Sequence, residues 1–516
     1  MSSSWSPILD GTSLTVEDAV RCGCDPYSRI TLSDRARQRV IVGAKFFDSL
    51  VRTGGDCYGI TTGFGDLVAF SPPPDERQAA QHRLIASHAV GVRNSVPIHI
   101  ARTMFVLRIN CLASGATGIR PETLDRIVAI FNAGLTPELP ATGSLGASGD
   151  LAPLAALAEF VTGHGWGFRG SVRGRTSELL AEVLLAPCNL ERKEGLSLIN
   201  GTSAMVGIAM HAVEEIELAL DAFLLGFASL VQLSNTPTGF LGASALALKP
   251  HPGALLIGRS LLDLLGVAAS SAVDSTSADQ TPYSLRCAPF ILGPLIDILP
   301  HFRDTLTTEA NSANDNPLFI EDTATLYHGG HFHGGPIAVS CDQVRIAATH
   351  LSGIIDRQLD YFFDRKRGPS LPPFFSYDAA RGYCGLAGAQ YLVTSLHTEN
   401  LSLAQPRSVL AIPTNAGNQD YVSLGMHSAL ATGALSCNLR YVAAVYLLAA
   451  SQLSALVRNQ PSHGATRSIL QAIMSDCALP YKDQHGLSAT IESLAARLPK
   501  LVSDAGWSHV GYRGAS

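Results

Sequence analysis

Ala147-Ser148-Gly149 is a tripeptide that can react with itself. Gly149 carries no side chain, so its nitrogen can approach the carbonyl carbon of Ala147. Ring closure there, with loss of two waters, one of which takes the Ser148 hydroxyl, leaves a methylidene-imidazolone. That product is an exocyclic alkene conjugated to a carbonyl, and it attracts amines. The tripeptide closes the run Gly143-Ser144-Leu145-Gly146-Ala147-Ser148-Gly149, which follows Pro137 and Pro140. Asp150 can cap the helix that comes next, with Pro153 tolerated in its first turn. The positive end of that helix could help polarise the electrophile. The plainer alternative is a glycine-rich connection between two helices.

Other stretches carry reactive residue types. In Cys57-Tyr58-Gly59-Ile60-Thr61-Thr62-Gly63-Phe64-Gly65 a tyrosine precedes a glycine turn. No Lys-Ser/Thr follows those glycines, which argues against a phosphate-binding loop. Tyr327-His328-Gly329-Gly330-His331-Phe332-His333-Gly334 holds three histidines, but their spacing fits no common zinc pattern and no acidic or cysteine partner is near, so no metal is expected. The ten cysteines are scattered and form no Cys-x-x-Cys, which indicates neither a zinc site nor a disulfide framework. Met1-Ser2-Ser3-Ser4-Trp5 lacks the layout of a signal peptide. Reduced thiols in the cytoplasm are therefore expected. Asn200-Gly201-Thr202 matches a glycosylation acceptor by letter only, since a cytosolic protein cannot use it.

These loops must be held by something, and the pattern around them is helical. Apolar residues step by three and four through Met205, Ile208, Ala212, Ile216, Ala219 and Phe223, and again through Val344, Ala348, Leu351, Ile355, Leu359 and Phe362. A third pattern, rich in small residues, runs from Ala429 to Val457. Strand signals are sparse and short, so a parallel α/β sheet is disfavoured. The expected fold is mainly α, a long central helical bundle with a loop-rich N-terminal part that carries the self-formed electrophile. The expected divisions are residues 1–195, with the Tyr58 loop and Ala147-Ser148-Gly149; 196–458, the bundle; and 459–516, a C-terminal helical segment. Over 516 residues, apolar types make up 46% and charged types 16%, a balance that suits a large oligomer with shared faces. The net charge of -6 gives no reason to expect nucleic acid. Arg365-Lys366-Arg367, the densest basic cluster, reads as a solvated loop. Uncharged stretches at 222–248 and 441–457 read as buried helices, because polar residues and glycines break them or they run short for a membrane span.

The string Gly143-Ser144-Leu145-Gly146-Ala147-Ser148-Gly149-Asp150-Leu151-Ala152-Pro153-Leu154 closely resembles the signature of the aromatic amino-acid lyase family, which includes histidine, phenylalanine and tyrosine ammonia-lyases and 2,3-aminomutases. Further motifs extend the resemblance over about four-fifths of the chain. It implies the histidine/phenylalanine ammonia-lyase fold and a methylidene-imidazolone made autocatalytically from Ala147-Ser148-Gly149, with no external cofactor. By the same resemblance Tyr58 is the base that removes a β-hydrogen. Asn200, in Ile199-Asn200-Gly201-Thr202-Ser203, approaches the electrophile and the substrate. In Gln280-Thr281-Pro282-Tyr283-Ser284-Leu285-Arg286, Arg286 pairs with the substrate carboxylate and Tyr283 assists proton movement. Phe332 is the carried-over aromatic of the site, and Asn311-Ser312-Ala313-Asn314-Asp315-Asn316-Pro317-Leu318 matches a structural motif. The resemblance also implies a homotetramer whose active sites combine residues from three subunits, acting on a small amino acid. Two departures stand out: His331 where the family has Asn, and Arg93 where it usually has Gly.

The choice of amino acid rests on fewer positions. Leu84-Ile85-Ala86-Ser87-His88-Ala89 is similar to the family's selectivity segment, and Ser-His there occurs in histidine lyases, several bacterial tyrosine lyases and a tyrosine aminomutase. His88 can hydrogen-bond an imidazole or a phenol. Gln419, in Ala416-Gly417-Asn418-Gln419-Asp420, stands where histidine lyases carry a functionally important Glu. Tyr391, in Gly385-Leu386-Ala387-Gly388-Ala389-Gln390-Tyr391, resembles a residue that approaches the substrate phenol in tyrosine aminomutase. A polar pocket of this kind rejects analogues that lack the hydroxyl. L-Tyrosine, giving 4-hydroxycinnamate, is favoured. Histidine ammonia-lyase giving urocanate, tyrosine 2,3-aminomutase and an inactive helical relative remain as alternatives.

Overall fold

The computed structural model describes residues 6–53, 57–267, 280–364, 371–482 and 486–507, so Arg365-Lys366-Arg367 lies outside the described residues. The architecture is mainly α. The three apolar patterns fall in the Ser203–Leu233, Gly335–Phe363 and Gly425–Val457 helices, the last beginning four residues before the expected Ala429. A fourth long helix, Ala288–Ala310, carries Pro294 and Pro300 inside it. Strands are two to four residues long and form small sheets, for example the three-stranded Leu135–Pro137, Trp166–Arg169, Val172–Arg175 arrangement. The Ser203–Leu233 and Gly425–Val457 helices are long and apolar enough to cross a membrane, but 89% and 72% of their most apolar stretches are buried inside the protein. Burial of that kind is what a core helix requires.

The chain divides into two compact units. The first comprises Met1–His211, Arg303–Asp342 and Pro406–Leu430; the second comprises Ala212–Phe302, Gln343–Gln405 and Ala431–Ser516. In the second unit small residues let helices approach closely. A Cβ on Gly226 would lie 2.6 Å from the ring of Tyr446, which stacks on Phe223 at 5.7 Å and donates its hydroxyl to Gln358. The Gly464–Asp476 and Leu487–Asp504 helices pack together near the end of the chain.

The first unit is organised around the Ile98–Leu112 helix, which is buried on every side from Ala101 to Leu112. Two arginines are enclosed with it, and a buried guanidinium needs acceptors for most of its N–H groups. Arg102 donates to the carbonyls of Cys22 (3.2 Å) and Ser28 (2.9 Å) and lies 3.8 Å from the Phe131 ring centroid. Arg108 donates to Asn314 Oδ1 (3.2 Å) and to the Ser197 carbonyl. In the Val92–Ser95 strand, Arg93 has a φ of 68°, the left-handed region that glycine occupies without penalty. The pairing of this strand with Pro140–Thr142 slips in register at that point. The departure from Gly at 93 therefore carries a backbone cost of about 1 kcal/mol. Arg93→Gly should raise the urea midpoint without changing the slope of the transition.

Asp150 behaves differently from the expectation. It stands at the cap position of the Leu151–Val161 helix, yet its side chain makes no capping bond there. Instead Oδ2 accepts from the Met205 N–H (2.8 Å), at the start of the Ser203–Leu233 helix. The free amides of that helix bind a carboxylate well, and reaching them takes Asp150 away from its own helix. Complete burial pushes its carboxyl up to about 7, against the lowering influence of the Met205 and Ala204 amides and the Ser144 hydroxyl. The folded protein thus holds a proton that the unfolded chain, with an ordinary value of 3.8, releases. Stability from this group is present at low pH and lost as pH rises through about 7. Between about pH 5 and about pH 8 the parent should lose stability relative to Asp150→Asn, measured as the difference in urea midpoint.

Candidate active site

A cavity of about 1180 Å³ opens in the first unit, and its lining gathers most of the residues singled out in the sequence. Tyr58, His88, Ala147, Ser148, Gly149, Asn200, Phe332 and Gln419 all face it. The lining comes wholly from the first unit and does not include Tyr283, Arg286 or Tyr391. Those three belong to the second unit, where Tyr283 and Tyr391 are 69% and 77% exposed. The Arg286 guanidinium lies 4.6 Å from the Tyr283 ring centroid, with its Nε buried and without a partner.

The floor of the cavity is the Ala147-Ser148-Gly149 tripeptide. Gly143, Gly146 and Gly149 all have positive φ, so the run folds back on itself in a way that side chains would resist. Gly149 forms ladder contacts with both Ala147 and Gly201. A Cβ on Gly149 would collide with the carbonyl of Gly201 and come within 2.8 Å of its nitrogen. The Asp150 N–H donates to that same carbonyl at 2.6 Å. Gly201 is in turn confined from behind, where a Cβ would collide with Arg108 and lie 2.7 Å from the Asn314 carbonyl. The residues fit the imidazolone group: position 149 has room for backbone only, and the 147 and 149 backbones are already brought together.

Polar side chains are fixed around this floor. Asn200 Nδ2 donates to Asp315 Oδ1 (3.1 Å) and the Asn316 carbonyl (3.3 Å), which sets the amide's orientation. Its Oδ1 is left buried without a partner. Asp315 is held by Lys193 at 2.6 Å, an ion pair in which both side chains are fully buried. Lys193 also donates to the carbonyls of Thr117 (3.1 Å) and Pro317 (2.8 Å), so the buried charge is fully engaged. Below Gly201, Glu309 accepts from Thr202 at 2.6 Å, and burial pushes its carboxyl up. The Tyr58 hydroxyl accepts from the Gly65 N–H at 2.7 Å, and its ring meets Phe64 edge-on at 6.3 Å. Beside it the Cys57 thiol is pushed up to about 11 by burial, which keeps it a neutral packing residue.

His88 ends the Arg77–His88 helix, with Nδ1 2.9 Å from the Leu84 carbonyl and 3.0 Å from Ser87 Oγ. A carbonyl only accepts, so Nδ1 carries the hydrogen and Nε2 of the neutral ring is an acceptor. His331 does not line the cavity; its ring packs edge-on against Tyr327 at 5.3 Å. His333 does line it, accepting from Gly335 N–H (3.3 Å) through Nδ1 and donating to the Tyr421 carbonyl (3.3 Å) through Nε2. Gln419 Nε2 donates to Ser148 Oγ at 2.8 Å. Sequence reasoning passed over Lys193, Glu309 and the long reach of Asp150. Lys193-Glu194 beside Gly195 was a usable signal, since paired charges next to an apolar helix are rarely left unengaged when buried.

Comparison with known proteins identifies the family. Residues 14–475 match the aromatic amino acid lyase family. Tyrosine 2,3-aminomutase of Myxococcus fulvus is 38% identical over 84% of this chain and 86% of its own length. Histidine ammonia-lyase of Anaeromyxobacter sp. (strain K) is 36% identical over 94% and 98%. The crystal structure of tyrosine aminomutase from Streptomyces globisporus superposes with a TM-score of 0.90 at 30% identity, covering 97% of this chain and 98% of that one. A glycine turn at the floor of a cavity that also holds Tyr58, His88 and Asn200, in a mainly helical chain with these relatives, has one reading at the level of the family: the chain belongs to the aromatic amino acid lyases.

Proposed function

We propose that this enzyme eliminates ammonia from L-tyrosine to give 4-hydroxycinnamate, using a methylidene-imidazolone formed from Ala147, Ser148 and Gly149. The observation that carries the proposal is the Gly149 backbone pressed onto Gly201 at the floor of a cavity lined by Tyr58, Asn200 and His88. When formed, the imidazolone supplies a carbon electrophile that draws on an amine. The chain's own side chains bind, orient and move protons. Tyr58, its oxygen fixed by the Gly65 N–H, takes the β-proton. Asn200 Oδ1, buried and unpartnered, accepts a hydrogen bond from the substrate ammonium.

Tyrosine is favoured by His88, whose Nε2 accepts the phenol O–H, with Phe332 supplying an aromatic wall. Gln419, an uncharged amide, stands where histidine lyases carry Glu. Arg83 is the arginine in the lining, and it is paired with Glu76 at 2.8 Å. The proposal therefore gives the substrate carboxylate to Arg286 of another copy, with Tyr283 and Tyr391 contributed in the same way, in a homotetramer with shared sites. The exposure of Tyr283, Tyr391, Val409 and Ile412 in the single chain supports such shared faces. A cytoplasmic location completes the proposal, and all ten cysteines are free thiols. A second reading, tyrosine 2,3-aminomutase, is favoured by the 38% identity to the Myxococcus fulvus enzyme.

Separate incubations with L-tyrosine, L-histidine and L-phenylalanine distinguish these readings. The expected result is 4-hydroxycinnamate and ammonia from tyrosine. β-Tyrosine as the main product makes the enzyme the aminomutase, and dominant urocanate overturns the tyrosine preference. Tyr58→Phe should lower turnover at least about 100-fold, and His88→Phe should shift preference from tyrosine towards phenylalanine.

A further inference from the structure

The reactive turn is gripped by a strap, the segment from Gln419 to Gly425. The Leu424 N–H donates to the Leu145 carbonyl (3.0 Å), and Ser423 Oγ donates to the Gly146 carbonyl (3.2 Å). A Cβ on Gly146 would collide with Ser423 Oγ, so strap and turn are matched in shape as well as in hydrogen bonds. Gln419 itself is anchored on both sides by Thr414, whose N–H donates to the Gln419 carbonyl (3.0 Å) and whose carbonyl accepts from the Gln419 N–H (3.3 Å). Asn415 and Ala416 adopt positive φ values of 51° and 54° to make that turn. Left-handed backbone at two non-glycine residues costs energy and persists where the surroundings enforce it. Its effect is to point an amide N–H at the hydroxyl of Ser148, at 2.8 Å.

A hydroxyl that accepts a hydrogen bond from a fixed donor is prepared to leave with its electron pair. We infer that Gln419 is a catalytic residue for maturation of the enzyme, assisting departure of the Ser148 hydroxyl before any substrate is bound. The inference rests on the imidazolone reading above. Ring closure comes first: the Gly149 nitrogen bonds to the Ala147 carbonyl carbon. The oxygen of that carbonyl then leaves as the first water, with the hydrogens of the Gly149 and Ser148 nitrogens, and a C=N bond forms. In the second step the Ser148 Cα–H proton goes to solvent and its electron pair forms the Cα=Cβ bond. The Cβ–Oγ bond breaks, and the oxygen departs as hydroxide and takes a proton from solvent, completing the second water. The step is redox-neutral. The Gln419 N–H bears on it directly, because negative charge grows on Oγ as that bond breaks.

The test is mass spectrometry of the peptide spanning residues 147–149, from parent and variant protein sampled at intervals after synthesis. The parent should lack two waters. Gln419→Leu and Gln419→Met remove the donor at similar length, and both should accumulate the peptide lacking one water, with the second loss slowed about tenfold. Asn418→Ala, in the same turn, should mature like the parent. Far-ultraviolet circular dichroism identifies any variant that has not folded, and the other donor-free variant then decides. If both folded variants lose two waters at the parent's rate, or lose none, the role of Gln419 in the second step is overturned while the imidazolone reading stands. If the parent loses none, that underlying reading has failed.

Discussion

Where Gly149 meets Gly201, two stretches of backbone pack with no room for a side chain on Gly149. A contact of this kind has little freedom to relax, because backbone on both sides is tied into structure. Asp150 N–H fixes one side to the Gly201 carbonyl, and the Asp150 carboxyl continues to the start of the Ser203–Leu233 helix. Arg108 and Asn314 close off the space behind Gly201. The Gly143–Gly149 turn is therefore held by the same groups that begin the long helix. The proposed cyclisation of Ala147-Ser148-Gly149 would draw on that compression, since bringing reacting atoms together in advance lowers a barrier.

Buried charge does the remaining positioning. Lys193 and Asp315 sit fully buried, and Asp315 orients the amide of Asn200 so that its oxygen is free. Such a pair is weak evidence of stability, because desolvating two ions offsets much of their attraction. Its visible effect is to choose which end of Asn200 is left unengaged. Asp150 and Glu309 add two further buried carboxyls near Gly201, both pushed up by desolvation. The pattern is a site where polar groups are set by a second layer rather than by solvent.

The helices were legible because burial along a helix leaves a step of three and four, as from Met205 to Phe223 and from Val344 to Phe362. The glycine turn was legible because only a few residue types allow that chemistry. Tyr58, His88, Asn200, Phe332 and Gln419 were found through short motifs and do line one cavity. What local pattern could not reveal are bonds between distant segments. Asp150 has every local mark of a cap for its own helix, and only the three-dimensional path to Met205 shows another use. Gln419 and Ser148 are 271 residues apart, so their hydrogen bond has no signature in either motif. Arg93 stood out in the sequence only as a departure from the family's usual Gly, and its left-handed backbone, with a φ of 68°, is visible only in the structure.

The central claim is that a side-chain-free contact at Gly149 forces the turn into a reactive shape. The most direct measurement is the mass of the 147–149 peptide in the parent and in Gly149→Ala, both folded by circular dichroism. The claim predicts a parent lacking two waters and a variant that retains both, because its Cβ cannot be seated against Gly201. A Gly149→Ala protein that loses both waters as the parent does would contradict it.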